Sequence, residues 1–154
     1  MNPINYIKRA SEIARTAHAD QTDKAGKDYF EGHLTSVASM GKTWQEQVLG
    51  YLHDVAEDTL MTEKEVMELL QKEEKLAGNQ AIELYEALRL LNSNHFTDRE
   101  SYLKAVKENS LAKAVKINDL SNNMDLTRIA NPGVKDIERV ERYKREIAWM
   151  ISER

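Results

Sequence analysis

Apolar positions recur every three or four residues along nearly the whole chain, and sustained two-residue alternation is missing, so the pattern predicts helices throughout. Asn2-Pro3 offers a capping side chain followed by proline at the first helical position, and Ile4, Ile7, Ile13, Ala14 and Ala17 carry a first helix to about His18. The stretch from Asp20 to Gly32, with glycines at 26 and 32, reads as a loop. A second helix carries His33, Val37 and Met40 and ends near Gly41. Thr43-Trp44-Gln45-Glu46 is a capping box that predicts a third helix to about Asp58, and Thr62 to Glu65 and Thr97 to Glu100 repeat the signal. Between them, Ala81, Ile82, Leu84, Tyr85, Leu88 and Leu91 form a helical stripe. Ser110 opens another helix through Ala112, Val115 and Ile117 to Asp119, and Asn131-Pro132-Gly133 breaks the chain before a last helix with Val140, Ile147, Trp149 and Met150. With no internal repeat, low-complexity tract or interdomain linker, the expectation is an all-α, single-domain helical bundle over residues 1–154.

At 154 residues the chain is long enough to bury a core without disulfides. Hydrophobic residues make up 41% and charged residues 31%, the balance of an ordinary globular protein. Cysteine is absent, which removes a disulfide framework, a thiolate nucleophile and a Cys-based zinc site, and suits a cytoplasmic location. The N-terminal Met1 to Arg9 has no apolar run behind its basic residues, so it does not read as a signal peptide, and no apolar stretch approaches the ~18 residues a membrane helix needs. A net charge of −4 argues against nucleic acid as the main partner, but a bound divalent cation would still let the protein take small anions.

The candidate chemistry sits in His33, the pair His53-Asp54, and Asp119. His53 and Asp54 are expected inside a helix with apolar neighbours Val48, Leu49, Leu52 and Val55, and Glu57 and Asp58 follow each of them by four residues. Residues four apart share a helical face, so two columns of ligand-type groups, His53/Glu57 and Asp54/Asp58, stand side by side. Acids and a histidine against an apolar stripe are costly without a compensating cation. A mixed nitrogen and oxygen set suits manganese, iron or zinc. His33 and Asp119 would come from other helices of the bundle.

In this pattern the chain resembles the HD-domain metal-dependent phosphohydrolases. It is most similar to the branch containing the alarmone hydrolase domains of the Rel/SpoT proteins and the small MESH-type ppGpp hydrolases. The resemblance runs from about Ala14 to Leu126 in three blocks: Ala17 to His33, Leu52 to Thr59, and Val115 to Asn123. The central Leu52-His53-Asp54-Val55-Ala56-Glu57-Asp58-Thr59 is the most specific. The resemblance implies that His33, His53, Asp54 and Asp119 bind one divalent metal, typically Mn²⁺, with Fe²⁺, Zn²⁺ or Mg²⁺ as the other choices. It implies that Glu57 and Asp58 orient or deprotonate the attacking water, that Lys24 lies near the substrate phosphates and that Asn123 lines the substrate pocket. His18 and Gln21 also fit, His18 as a structural residue packing the loop. The implied reaction is water attack on phosphorus of a nucleotide, as in a (p)ppGpp 3′-pyrophosphohydrolase.

Three departures bear on specificity. Asp23 stands where those hydrolases carry a guanine-stacking arginine, Leu126 stands where a guanine-contacting threonine is usual, and Tyr29 to His33 is one residue longer, with Glu31-Gly32 in place of a proline-flanked approach. Two readings therefore compete with the alarmone hydrolase: an HD hydrolase of another nucleotide or phosphomonoester, and a non-catalytic metal-stabilised nucleotide sensor. Retention of both Glu57 and Asp58 favours turnover over sensing. His95 reads as an exposed loop residue, Glu63 to Lys75 as a solvated face, and Glu141 to Arg145 as a surface salt-bridge face. Trp149 and Met150 offer a helical contact for a homodimer.

Overall fold

The computed structural model describes residues 2–153; Met1 and Arg154, the ends of the stretches read above, lie outside them. Helix α1 is Pro3–Ala17, and Asn2 Oδ1 accepts from the Ile4 amide at 3.0 Å. Its buried residues Tyr6, Ala10, Ile13 and Ala14 form one stripe; of the five expected positions only Ile13 and Ala14 are buried, Ile4 is exposed, and Tyr6 and Ala10 take the core side instead. A loop with an isolated antiparallel bridge between Thr22 and Asp28 leads to a π-helical turn, Phe30–Leu34, which runs into α2, Thr35–Ser39. A π turn absorbs one extra residue in a helix, and it falls on the segment that is one residue longer than the resembled family. His33 therefore sits in the π turn rather than in an ordinary helix.

Helix α3, Trp44–Leu52, is the centre of the bundle and packs against α1 and α2 and against α8, Ser110–Asn123. Thr43 caps it by accepting from the Glu46 amide at 3.2 Å, but Glu46 turns to the Lys42 amide, so only half of the predicted box forms. The predicted continuous helix to Asp58 is broken at His53-Asp54, and a short α4, Val55–Asp58, follows. The cause is local. The Gly50 carbonyl, which a continuing helix would give to the Asp54 amide, instead takes His53 Nδ1 at 2.8 Å.

Helix α5, Glu63–Leu70, starts with the full capping box at Thr62. Then come α6, Gly78–Leu90, a 3₁₀ turn at Ser93–His95, and α7, Arg99–Lys107, capped by Asp98 rather than by the predicted Thr97. Helix α8 runs four residues past its predicted end, to Asn123; a 3₁₀ turn, Leu126–Arg128, and α9, Val134–Ile151, finish the chain. No strand forms among the described residues, and the molecule is a single all-α domain. Val48, Leu49, Leu52, Val55, Val66, Leu84, Leu88, Val106, Ala112, Val115 and Leu120 join in one core. Met150 belongs to this core and is fully buried, which leaves only Trp149 exposed for the expected dimer contact. No helix among the described residues is long and apolar enough to cross a membrane.

Gly50 fixes the approach of α2 to α3. A Cβ there would stand 2.6 Å from Ala38 Cα and 2.8 Å from its amide nitrogen, both backbone atoms. Gly50→Ala gains up to ~1 kcal/mol of helix propensity but incurs ~1–3 kcal/mol of overpacking. The clash is with backbone, so the variant is expected to be less stable than wild type in chemical denaturation. Equal or greater stability would mean that α2 shifts freely.

Candidate metal centre

The four predicted ligands come together where the π turn, the α3–α4 break and α8 meet. His33, His53 and Asp119 each offer a ligand atom within 4.8 Å of the others, and all three are buried. His33 Nε2 lies 2.9 Å from Asp119 Oδ1, and His53 Nε2 lies 3.5 Å from the same oxygen. Asp54 stands just outside that trio, its Oδ2 3.1 Å from His53 Nε2 and 3.7 Å from His33 Nε2. The Tyr29 hydroxyl donates to this Asp54 oxygen.

Both imidazoles are turned by their other nitrogen. His53 Nδ1 faces the Gly50 carbonyl, which only accepts, so Nδ1 carries the proton. His33 Nδ1 is 2.8 Å from Asn122 Oδ1 and donates to it in the same way. Each ring thus keeps Nε2 for the centre, the arrangement that supporting partners impose on metal-binding histidines. His53 Nε2 is buried and no neighbour meets it in hydrogen-bonding geometry. A buried ring nitrogen with no hydrogen-bond partner, converging with a second imidazole and two carboxylates, is a set that a divalent cation fits once it displaces the His53 proton.

Lys116 is the local counter-charge. Its Nζ lies 2.9 Å from Asp119 Oδ2 and 5.2 Å from the centre of the Tyr102 ring, while Asn123 Nδ2 donates to Asp119 Oδ1 at 3.1 Å. Burial alone would raise the Asp119 carboxyl, but the Lys116 and His53 charges hold it well below the carboxylate range. Lys116, Asp119 and Asn122 are three apart on one helix, with Asn123 one turn beyond Asp119. Sequence reasoning missed Asn122 because it ended the helix at Asp119, and it missed Lys116 although that residue lies one turn before Asp119 on the same predicted helix, where the i, i+3 spacing would have found it. Tyr29, the other missed residue, carries no such periodic signal.

The remaining predicted residues divide. Lys24 and Asn123 line a cavity of about 320 Å³ together with Thr22, Asp23, Tyr29 and His33, so both face the centre's open side. Asp23, in the position of the absent arginine, uses Oδ1 to accept from the Ala25 and Lys27 amides at 2.9 and 3.0 Å and so shapes the loop. Glu57 and Asp58 do not line this cavity and diverge from each other. Glu57 Oε1 accepts from the Ser93 amide at 2.9 Å and from the Ser93 hydroxyl. Asp58 is bonded by Gln21, and its carboxyl is raised first by burial and then by the charges of Asp54 and Glu57. His18 is buried as expected and bonds Gln21 through Nδ1 at 2.8 Å. His95 is exposed, as expected, and its Nε2 also lies 2.8 Å from Glu63 Oε1. Glu63 is itself buried, not part of a solvated face, and also accepts from Asn92 Nδ2 at 2.9 Å. The Glu141 to Arg145 segment does form surface pairs, Lys144 with Glu141 at 3.3 Å and Arg142 with Glu146 at 4.0 Å.

The ion pairing makes stability depend on pH. Burial would lower the His53 pKa, but the Asp54 and Asp119 charges raise it well above its usual value. A raised folded-state pKa gives stability that is complete below the unfolded value of about 6.5 and lost as pH rises through the folded value. Asp54 runs the opposite way: burial would raise it, yet His53 holds it down to about 2, so its contribution is present above 3.8 and fades as pH falls toward 2. Chelated protein is therefore expected to melt progressively lower as pH rises above about 7, while Mn²⁺ affinity rises as it displaces the His53 proton. His53→Gln should flatten both slopes; slopes that persist in that variant would assign them to other groups.

No protein family model matches the chain. Over 133 residues it is 29% identical to the bifunctional (p)ppGpp synthase/hydrolase SpoT of Escherichia coli (strain K12), across 79% of this chain and 18% of SpoT. The same identity and coverage hold for a guanosine-3′,5′-bis(diphosphate) 3′-pyrophosphohydrolase of Shigella flexneri. A GTP pyrophosphokinase of Myxococcus xanthus is 34% identical over 73 residues, 46% of this chain and 10% of that protein. The chain thus spans 18% of the length of the first two relatives, and its similarity is to one portion of Rel/SpoT-type enzymes of nucleotide metabolism.

Proposed function

We propose that the chain is a single HD-type domain with metal-dependent phosphohydrolase activity on a nucleotide, most closely a (p)ppGpp 3′-pyrophosphohydrolase, acting in the cytoplasm. The observation that carries this reading is the pair of imidazoles held by Gly50 and Asn122 so that both Nε2 atoms converge on Asp119 and Asp54 beside a cavity. The names of the similar proteins support the substrate class. His33, His53, Asp54 and Asp119 would hold one divalent ion, Mn²⁺ in the first instance. Such an ion supplies Lewis acidity toward a phosphoryl oxygen and acidifies water.

The chain's own residues would do the rest. Asp58 and Glu57 accept and orient the proton of the attacking water, a role typically worth ~10²–10⁴-fold. Lys24 offsets charge on the transferring group from the cavity wall, and Asn123 both lines that wall and steadies Asp119. Water attacks the phosphorus bonded to the ribose 3′ oxygen, that P–O bond breaks, the departing 3′ oxygen takes a proton, and pyrophosphate and GDP or GTP are the products.

A second reading, hydrolysis of a different nucleotide, is favoured by Asp23. A carboxylate on the cavity wall in place of a stacking guanidinium removes one contact to guanine. The test is product analysis with Mn²⁺ over ppGpp, pppGpp, their adenine counterparts and common mono- and deoxynucleotides, with and without chelator. Chelator-sensitive pyrophosphate release from ppGpp supports the first reading, and turnover of another nucleotide alone supports the second. No turnover of any of them rejects both.

A further inference from the structure

The 3₁₀ turn between α6 and α7 is built around Glu57. Ser93 gives both its amide and its hydroxyl to Glu57 Oε1, and Asn94 Nδ2 donates to the Glu57 carbonyl at 3.1 Å. The turn is itself braced from below. Asn92 Nδ2 and His95 Nε2 each take one oxygen of the buried Glu63 at 2.9 and 2.8 Å, and Asn92 Oδ1 caps the turn by accepting from the Asn94 amide at 3.0 Å. Tyr102 closes the far side, its hydroxyl donating to the Leu91 carbonyl at 3.1 Å and its ring 5.6 Å from Phe96. A buried carboxylate spent on holding the cap and the last residue of a three-residue turn is a costly device for a surface connection. It is reasonable where the turn must stay in one place.

We propose that Ser93 is a positioning residue for Glu57. The braced turn fixes Glu57 Oε1 and with it the orientation of the whole carboxylate. This rests on the reading of Glu57 as a proton-handling residue given above. Two donors on one oxygen restrict rotation of the carboxylate, and a short, four-residue α4 could not hold it by helix packing alone. The two acids then differ in kind. Glu57 is fixed by the α6–α7 connection, and Asp58 is held by Gln21 from the loop after α1.

The experiment compares Ser93→Ala, Ser93→Thr and Glu57→Gln, singly and with Ser93→Ala combined with Glu57→Gln, on the nucleotide the wild type turns over. Ser93→Ala is expected to lower kcat ~10–100-fold, the size of one hydrogen bond to a charged acceptor. KM and the calorimetric affinity for Mn²⁺ should stay within about twofold of wild type, since Ser93 touches neither the cavity nor the metal cluster. Ser93→Thr, which keeps the hydroxyl, restores kcat, and Ser93→Ala adds no further loss in the Glu57→Gln background. Should Ser93→Ala fail to fold, Ser93→Cys carries the same comparison with a weak donor in place of the hydroxyl. An unchanged kcat in the folded variant, a loss additive with Glu57→Gln, or a loss of Mn²⁺ affinity each overturns the proposal while leaving the hydrolase reading standing. A wild-type protein that turns over no nucleotide overturns both.

Discussion

Lys116→Met is expected to cost the metal-free protein about 3–5 kcal/mol, the usual penalty for removing one partner of a buried ion pair. Asp119 is buried and receives Lys116 Nζ at 2.9 Å on one oxygen, with Asn123 Nδ2 at 3.1 Å on the other. Methionine fills most of the space but leaves that carboxylate with only Asn123 and the neighbouring imidazoles. For a chain of this size the loss converts to roughly 2–4 °C of melting temperature per kcal/mol. Mn²⁺ should recover part of it, because an ion at the cluster supplies the missing positive charge. The double variant Lys116→Met with Asp119→Asn should be destabilised less than the sum of the two single changes, because the buried charge leaves with its partner. A loss under about 1 kcal/mol in chelated Lys116→Met would mean that His33 and His53 alone compensate Asp119.

Asp54→Ala is expected to abolish Mn²⁺ binding within the calorimetric range and, with it, nucleotide turnover. Removing a partner that only orients a ligand costs ~10–100-fold in metal affinity, so removing a ligand should exceed that. Asp54 Oδ2 is the oxygen closest to His53 Nε2, at 3.1 Å, and it reaches His33 Nε2 at 3.7 Å. The fold should survive, since Asp54 sits at the break between α3 and α4 and the Tyr29 hydroxyl it releases lines an open cavity. Circular dichroism and chelated melting check that point separately. Wild-type Mn²⁺ affinity in folded Asp54→Ala would show that His33, His53 and Asp119 suffice and that Asp54 serves another purpose.

Much of the fold was legible because local rules govern it. The caps at Asn2 and Thr62, the presence of helices α1 and α6, and the stop at Asn131-Pro132-Gly133 all follow from backbone hydrogen bonding and the helical period, although Ile4 and Ile82 of the expected stripes are exposed. Residues of the candidate site were legible by type and spacing within one segment. His53, Asp54 and the acids four residues later announce themselves in a single stretch. Their geometry was not. The expected pair of columns assumed an unbroken helix, but the His53 ring takes the Gly50 carbonyl and ends α3 there, so Glu57 and Asp58 turn to different loops.

By itself, then, the sequence determined an all-helical chain and the inventory of imidazoles and carboxylates that converge. Only the tertiary structure decided that His33 rides on a π turn, that Lys116 pairs with Asp119, that Asn122 serves the centre from the extension of α8, and that Glu63 is buried and tied to the exposed His95. The physical reason is range. Periodicity and capping report each residue's neighbours within one helical turn, whereas the charge, tautomer and orientation of a buried group are set by partners that are distant in sequence: Asn122 is 89 residues from His33, and Ser93 is 36 from Glu57.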